Sequence, residues 1–355
     1  MKNVIHFPLA IIGLALFSAC SNKPTEPVIT VGVVREFTLS EETQEHLHRL
    51  TSVVMDNPVS DELAFANFQS PVHVVITDYD GKFVEKVGKE GRGPDEIQRA
   101  WFFGFDSNEN VVILDKPSAF YKYHDRLSDE VRSYVYPLGE GFSVTSRNLE
   151  QCGEYWYSGI QILGKQTYEQ VPIVGVFDQE FALVDTIGGY DPFFAGRGDF
   201  MQEPVVSVDC SRGLIYTTHA KTPYIQVFSM DSPIRVHRTD MKPASFNLSE
   251  LFSPMAGNSS DTFRFLANEQ STSLHVEQSE HHIYHVFRNE HDNDKTQRHF
   301  EDRDYYVAVY DIDTYEYLGE TQIDGAVLGA TKDGYLIVLK DERTYEMQFL
   351  EISSK

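Results

Sequence analysis

Val74-Val-Ile-Thr-Asp78, a turn at Asp80-Gly81, then Phe83-Val-Glu-Lys-Val87 closing on Gly88 is the stretch from which the fold is read. Two β-rich runs joined by a turn of residues that tolerate tight backbone angles make a β-hairpin. The same arrangement recurs twice. Ile173-Val-Gly-Val-Phe177 passes through Asp178-Gln-Glu into Phe181-Ala-Leu-Val184 and ends at Gly188. Tyr306-Val-Ala-Val-Tyr310 passes through Asp311-Ile-Asp-Thr into Tyr315-Glu-Tyr-Leu318 and ends at Gly319.

A second kind of unit follows each hairpin. Phe103-Gly-Phe-Asp106 leads through Ser-Asn-Glu-Asn110 into Val111-Val-Ile-Leu-Asp115 and then Phe120-Tyr-Lys-Tyr123. Its counterparts are Val205–Asp209, Leu214–Thr217 and Tyr224–Phe228, and again Val327–Thr331, Tyr335–Leu339 and Tyr345–Phe349. The middle run of each is almost continuously apolar, as expected of a strand buried on both faces. Repeated four-stranded units with buried centres predict an all-β fold, a β-propeller. Six blades at ~55 residues each fit the length, with seven as the alternative at closer to the usual ~40–45. Ile29-Thr-Val-Gly-Val-Val34 is placed to supply a strand to the last blade and close the ring, removing free sheet edges. A two-sheet sandwich is the rival, but several would be needed to use this length.

The chain begins with Lys2, an apolar run Leu9-Ala-Ile-Ile-Gly-Leu-Ala-Leu-Phe17, and Ser18-Ala19 before Cys20. A positive start, an apolar stretch too short to span a bilayer and two small residues read as a secretory signal, with cysteine at its cleavage site. Residues 1–19 are read as the signal, 20–27 as a lipid-bearing cysteine with a polar, proline-rich and flexible tether, and 28–355 as one propeller domain. The leader resembles that of bacterial lipoproteins, which implies lipidation of Cys20 and attachment to a membrane of the cell envelope, the outer membrane being the expected one. Phe17 departs from the usual leucine of such signals. Acyl chains bury ~0.8 kcal/mol per CH2, enough to hold an otherwise soluble domain at a surface.

Thirty basic against 54 acidic residues give a net charge of −24, which repels phosphate backbones and excludes nucleic acid as a partner. The 13% aromatic and 41% hydrophobic content supports a full core rather than disorder.

The segment Val87-Gly-Lys-Glu-Gly-Arg-Gly-Pro-Asp-Glu96, with Phe105–Asp115 and Phe120–Asp125, resembles an NHL-type propeller repeat. It is also similar to lipoproteins with TolB-like propellers, in which a glycine-rich loop precedes the buried strand. The likeness covers about forty residues. It implies a six-bladed ring at the cell envelope and carries no catalytic residue onto this chain.

Several constellations bear on chemistry. Gly88–Pro94 lacks the Lys-Ser/Thr of a phosphate-binding loop and leads into no βαβ unit, so its glycines serve turns. Arg197-Gly198-Asp199 matches a short adhesion tripeptide where the repeat places a loop anyway. His281 and His285 fall in a run that reads as a strand and would share one face, with a polar stretch from Arg288 to Asp304 after them. They are the candidate ligands of a divalent cation, although no His-Glu-x-x-His or calcium loop is present. Asp106, Asp115 and Asp209 end strands and could reach the ring's channel, or could simply hold turns. Cys152 and Cys210 could pair in an oxidising envelope. No nucleophile elbow and no Ser-His-Asp spacing is seen. The reading favours an envelope-anchored binding module for a protein or glycan partner, with no cofactor. The alternative is a metal-dependent hydrolase or lyase of NHL-like or lactonase type with a cation in the channel.

Overall fold

Each of the three hairpins is the outer pair of strands of one sheet, four-stranded for the first and third and five-stranded for the second, and each of the three-run units is the inner part of the next sheet. The computed structural model describes residues 28–47, 53–67, 70–136, 142–144, 149–162, 171–194, 203–248, 271–290 and 303–355. The leader and tether with Cys20, the Arg197–Asp199 tripeptide, and residues 291–302 of the polar stretch lie outside them.

Strand β1 (Ile29–Thr38) precedes helix α1 (Glu41–His46), which Ser40 caps by accepting the Thr43 N–H at 3.2 Å. Blade 1 is β2 (Val54–Asp56), β3 (Glu62–Asn67), β4 (His73–Asp78) and β5 (Phe83–Val87). A short parallel pair, β6 (Lys89–Glu90) and β7 (Glu96–Ile97), leads to blade 2: β8 (Ala100–Phe105), β9 (Val111–Asp115), β10 (Phe120–Asp125) and β11 (Glu130–Val135). In blade 3 the innermost strand is split into β12 (Phe142–Val144) and β13 (Glu150–Cys152), which pair with opposite halves of β14 (Tyr155–Ile162). Strands β15 (Val174–Phe177) and β16 (Leu183–Ile187) complete it. Blade 4 is β17 (Pro204–Asp209), β18 (Leu214–His219), β19 (Gln226–Ser229) and β20 (Ser232–Arg238). Blade 5 is β21 (Thr272–Gln278), β22 (His282–Glu290), β23 (Arg303–Asp311) and β24 (Tyr317–Ile323). Blade 6 is β25 (Ala326–Ala330), β26 (Leu336–Asp341) and β27 (Glu346–Ser354), with β1 added as its outermost strand.

The ring therefore has six blades, and the seven-bladed alternative is wrong. Long connections take up the length that a seventh blade would have used, above all 239–271 between β20 and β21. Closure works as read, but the strand is longer, pairing from Ile29 opposite Ser354 to Thr38 opposite Glu346. All five residues of β9 are buried, and apolar clusters fill the spaces between neighbouring blades. One of them packs Tyr121 of blade 2 on Phe181 of blade 3, ring centroids 4.5 Å apart. Large buried side chains of this kind contribute roughly 1.5–3 kcal/mol each.

Four antiparallel strands return the chain to the face it left. All innermost strands thus run in one direction, from an entry face to an exit face. On the exit face the turns are short, and most are built on one device, an aspartate at the strand end whose carboxylate accepts the turn's N–H groups. The device recurs on the entry face at Asp341, which accepts the Arg343 and Thr344 N–H groups. Where the left-handed residue comes three positions later, Oδ1 accepts from i+2 and i+4. This holds for Asp78 with Gly81, Asp106 with Glu109 and Asp178 with Phe181. Where it comes four later, as for Asp125 with Asp129 and Asp311 with Tyr315, the acceptances are from i+2 and i+3. Gly81 takes its place at φ +77°, and a Cβ there would meet the Thr38 carbonyl oxygen at 2.8 Å. Phe181 and Tyr315 hold the same backbone as non-glycines. The second strand of each of those hairpins consequently starts two residues later than the sequence suggests, at Leu183 and Tyr317.

Candidate functional site

The innermost strands leave a cavity of about 990 Å³ along the ring axis. Its charged groups come from strands that are otherwise apolar. In β21, Ser273, His275 and Glu277 line the cavity together with Leu274 and Val276; an irregularity in the pairing between Ser273 and His275 interrupts the alternation of the strand. Glu277, the penultimate residue of β21, has Oε1 3.7 Å from His275 Nδ1. Burial pushes the Glu277 carboxyl well up, and the charge of Glu150 adds to it. Glu150, opening β13, accepts the Val208 N–H at 2.8 Å, and Gln278 Nε2 donates to the Val208 carbonyl at 3.1 Å. Ser207 Oγ in turn donates to Gln278 Oε1 at 2.6 Å. Blades 3, 4 and 5 are stitched together through these side chains.

At the exit mouth Asp56 closes the ring. Its Oδ1 accepts the Tyr79 hydroxyl at 2.5 Å and its Oδ2 accepts the Lys332 N–H of blade 6 at 2.6 Å. Burial raises the Asp56 carboxyl to about 7, against the lowering effect of those two hydrogen bonds and the Lys332 charge. Lys332 Nζ donates to the Ser60 carbonyl at 2.8 Å and to Asp61 at 3.0 Å. Toward the entry mouth, buried Lys221 donates to Thr272 Oγ1 at 2.6 Å.

The expected site residues fare differently. His285 is buried in β22, while His281 sits in the turn before that strand, with three-quarters of its side chain exposed. The two are not brought to one face. The period-two argument fails because the strand begins at His282, whose Nε2 lies 3.0 Å from Ser354 Oγ. Among the described residues no group of three or more His, Cys, Asp or Glu is placed to hold a metal ion.

His285 Nε2 lies 2.8 Å from Ser273 Oγ, a residue of the cavity wall. This is not an activated nucleophile. The hydroxyl has one hydrogen and lies 2.9 Å from the Thr222 carbonyl oxygen, which can only accept. The serine donates there, so the imidazole donates to the serine and holds no lone pair toward it. Burial depresses the His285 imidazole to about 3, which keeps it neutral.

Of the three strand-end aspartates, Asp106 and Asp209 hold turns, and only Asp209 also lines the cavity. Ser211 Oγ and Arg212 donate to Asp209 at 2.6 and 3.0 Å and bring its carboxyl below the usual range despite burial. Asp115 accepts the Gln98 and Arg99 N–H groups at 3.1 and 3.0 Å, bracing the start of blade 2. Cys152 at the end of β13 and Cys210 after β17 are brought together across blades 3 and 4, Cα atoms 5.6 Å apart, a separation a disulfide spans. Asp56, Glu150, Glu277 and Lys332 were not singled out from sequence. No alternation marks Glu277, because the pairing of β21 is irregular and its apolar residues line the cavity too. The pairing of Asp56 with Lys332 joins residues 276 apart and has no local signature.

No protein-family model matches the chain, and no curated protein does. Among solved structures, it is similar to a member of the DUF4221 family from Bacteroides vulgatus. That match has 13% identity and a TM-score of 0.69, covering 93% of this chain and all of the other. It is also similar to a protein inferred to be exported, from Bacteroides fragilis, at 12% identity and a TM-score of 0.58, covering 92% of this chain and 95% of the other. At such identities the likeness is one of fold, and it supports the six-bladed propeller.

Proposed function

We propose that this chain is an envelope lipoprotein, anchored through Cys20, whose propeller is a binding module for a protein or glycan partner. The observation that carries the reading is the axial cavity. At about 990 Å³ it lies at the upper end of ligand-site sizes, room for a short glycan or a peptide segment, and a rigid ring frames it. Its lining sets carboxyls such as Glu277, Asp56 and Asp209 beside Lys221 and Arg212, which suits a polar occupant held by hydrogen bonds. The position of the Ser273 hydrogen speaks against acyl transfer at the one serine–histidine contact in the wall. The protein of like fold that is inferred to be exported supports an extracytoplasmic place for the ring, and the oxidising envelope is where Cys152 and Cys210 would form a bond. No cofactor is called for, and the net charge of −24 argues against nucleic acid.

The test is photocrosslinking in the cell that makes the protein. A photoreactive residue replacing Thr272, at the cavity's entry end, should give one defined envelope adduct. The same residue replacing Ile234, on the outer edge of blade 4, should not. Adducts that are absent from Thr272, or identical from both positions, would count against binding in the ring.

A further inference from the structure

Strand β1 fixes where the tether leaves the ring. Within blade 6, β25 runs from entry to exit face, β26 back, and β27 to the exit face again. Strand β1 is antiparallel to β27, so Ile29 begins at the exit face, opposite Ser354. Val28 and Lys355 exchange backbone hydrogen bonds of 3.2 Å there, and Ser354 Oγ lies 3.0 Å from His282 Nε2 in blade 5. The root of the tether is thus held to two blades at one face.

Only Ser21–Pro27 separate Cys20 from Val28. At roughly 3.3–3.6 Å per residue even a fully extended tether spans less than about 30 Å. A blade of five- or six-residue strands is about 17–20 Å thick. Turning the ring over would spend most of that reach on passing its own edge. We infer that the exit face, with the Asp56–Lys332 mouth, is turned toward the bilayer, and that the entry face with its long connections points away from it. The partner then reaches the cavity from the aqueous side. This rests on the reading that Cys20 carries lipid.

The orientation is tested with the acylated full-length protein in phosphatidylcholine vesicles containing a nitroxide-headgroup lipid. A thiol-reactive fluorophore is placed by Leu127→Cys or Pro117→Cys, on exit and entry turns of blade 2, with unsubstituted protein as the labelling background. Asp313→Cys at the exit face of blade 5 and Thr344→Cys at the entry face of blade 6 repeat the comparison elsewhere on the ring. Quenching should be severalfold stronger at the exit position of each pair. Equal quenching, or stronger quenching at the entry positions, overturns the orientation. The mass of acyl chains on Cys20 is measured on the same sample. Its absence overturns the anchoring reading, whereas acylated protein with reversed quenching overturns the orientation alone.

Discussion

The two faces of the ring are built to different rules. On the exit face no turn within a blade exceeds five residues, and aspartate carboxylates hold most of them from inside. On the entry face the connections run as long as 188–203 and 239–271, concentrated around blades 3 to 5. Links between blades lie on both faces: at the entry face Lys221 of blade 4 donates to Thr272 of blade 5, and Arg238 of blade 4 pairs with Asp191 in the connection from blade 3. Others lie at the exit face. Arg126 of blade 2 reaches Glu62 and Glu85 of blade 1, Arg212 of blade 4 donates to the Glu280 carbonyl of blade 5, and Lys332 of blade 6 reaches blade 1. Closing a longer loop adds only slowly to the entropy of folding, so variation is tolerated where turns are not locked into their neighbours. What separates the faces in this ring is the length of their connections, and the long ones on the entry face are where recognition can vary.

The largest test of that contrast is at Cys152 and Cys210. A bond between them closes a loop with a sequence separation of 58, and chain entropy alone then gives about 4 kcal/mol. Replacing both by serine should lower the unfolding free energy by about that amount in denaturant titrations without reductant. Reductant should bring the parent protein down to the variant. A parent indifferent to reductant would show that the exit face is held by non-covalent links only.

Asp56 offers a smaller and pH-dependent test. Its carboxyl is raised from 3.8 unfolded to about 7 folded, so the folded state holds the proton more tightly. The contribution to stability is full below pH 4 and is lost as pH rises toward 7. Asp311, lowered by the Thr314 N–H, acts with the opposite sign, and only in the acid range below pH 4. Asp56→Asn should therefore gain on the parent between pH 4 and 8, by a few degrees in Tm. The gain is set against one poor contact, because an amide cannot accept from both Tyr79 and the Lys332 N–H. Glu277, raised in the same direction, leaves part of the slope in place. A difference in Tm that stays constant across the range would mean that Asp56 ionises normally and that the latch between blades 6 and 1 is not strained by charge.

What could be read from the sequence follows from the same division. The exit-face turns were legible because each carries its own chemistry: Asp78 and Gly81 announce a hairpin within ten residues of the strands they join. Closure by β1 was legible because an isolated β run before the first blade has one place to go. Blade number was read correctly as six, with seven left as the alternative because the lengths of entry-face connections carry no periodic signal. The site was half legible. His281 and His285 were placed on one face by extending a strand a single residue too far, which shows how much a period-two argument depends on its boundary. The cavity's carboxyls lie where strands from different blades converge, so their partners are set by the ring and not by neighbours in sequence.

The smallest expected effect is the one that would most directly separate the faces. Replacing 250–269 by a short Gly/Ser linker leaves β20 and β21 joined and removes none of the described contacts. Halving a loop changes closure entropy by about 0.6 kcal/mol. The shortened protein should unfold within about 1 kcal/mol of the parent. Gly81→Ala, in contrast, puts a single methyl at φ +77° against the Thr38 carbonyl oxygen in an exit turn, and should cost more, about 1–3 kcal/mol. A one-atom change on the exit face would then outweigh the loss of twenty residues on the entry face. If the deletion proves the costlier of the two, the long connection is part of the framework, and the face it belongs to is not free to vary.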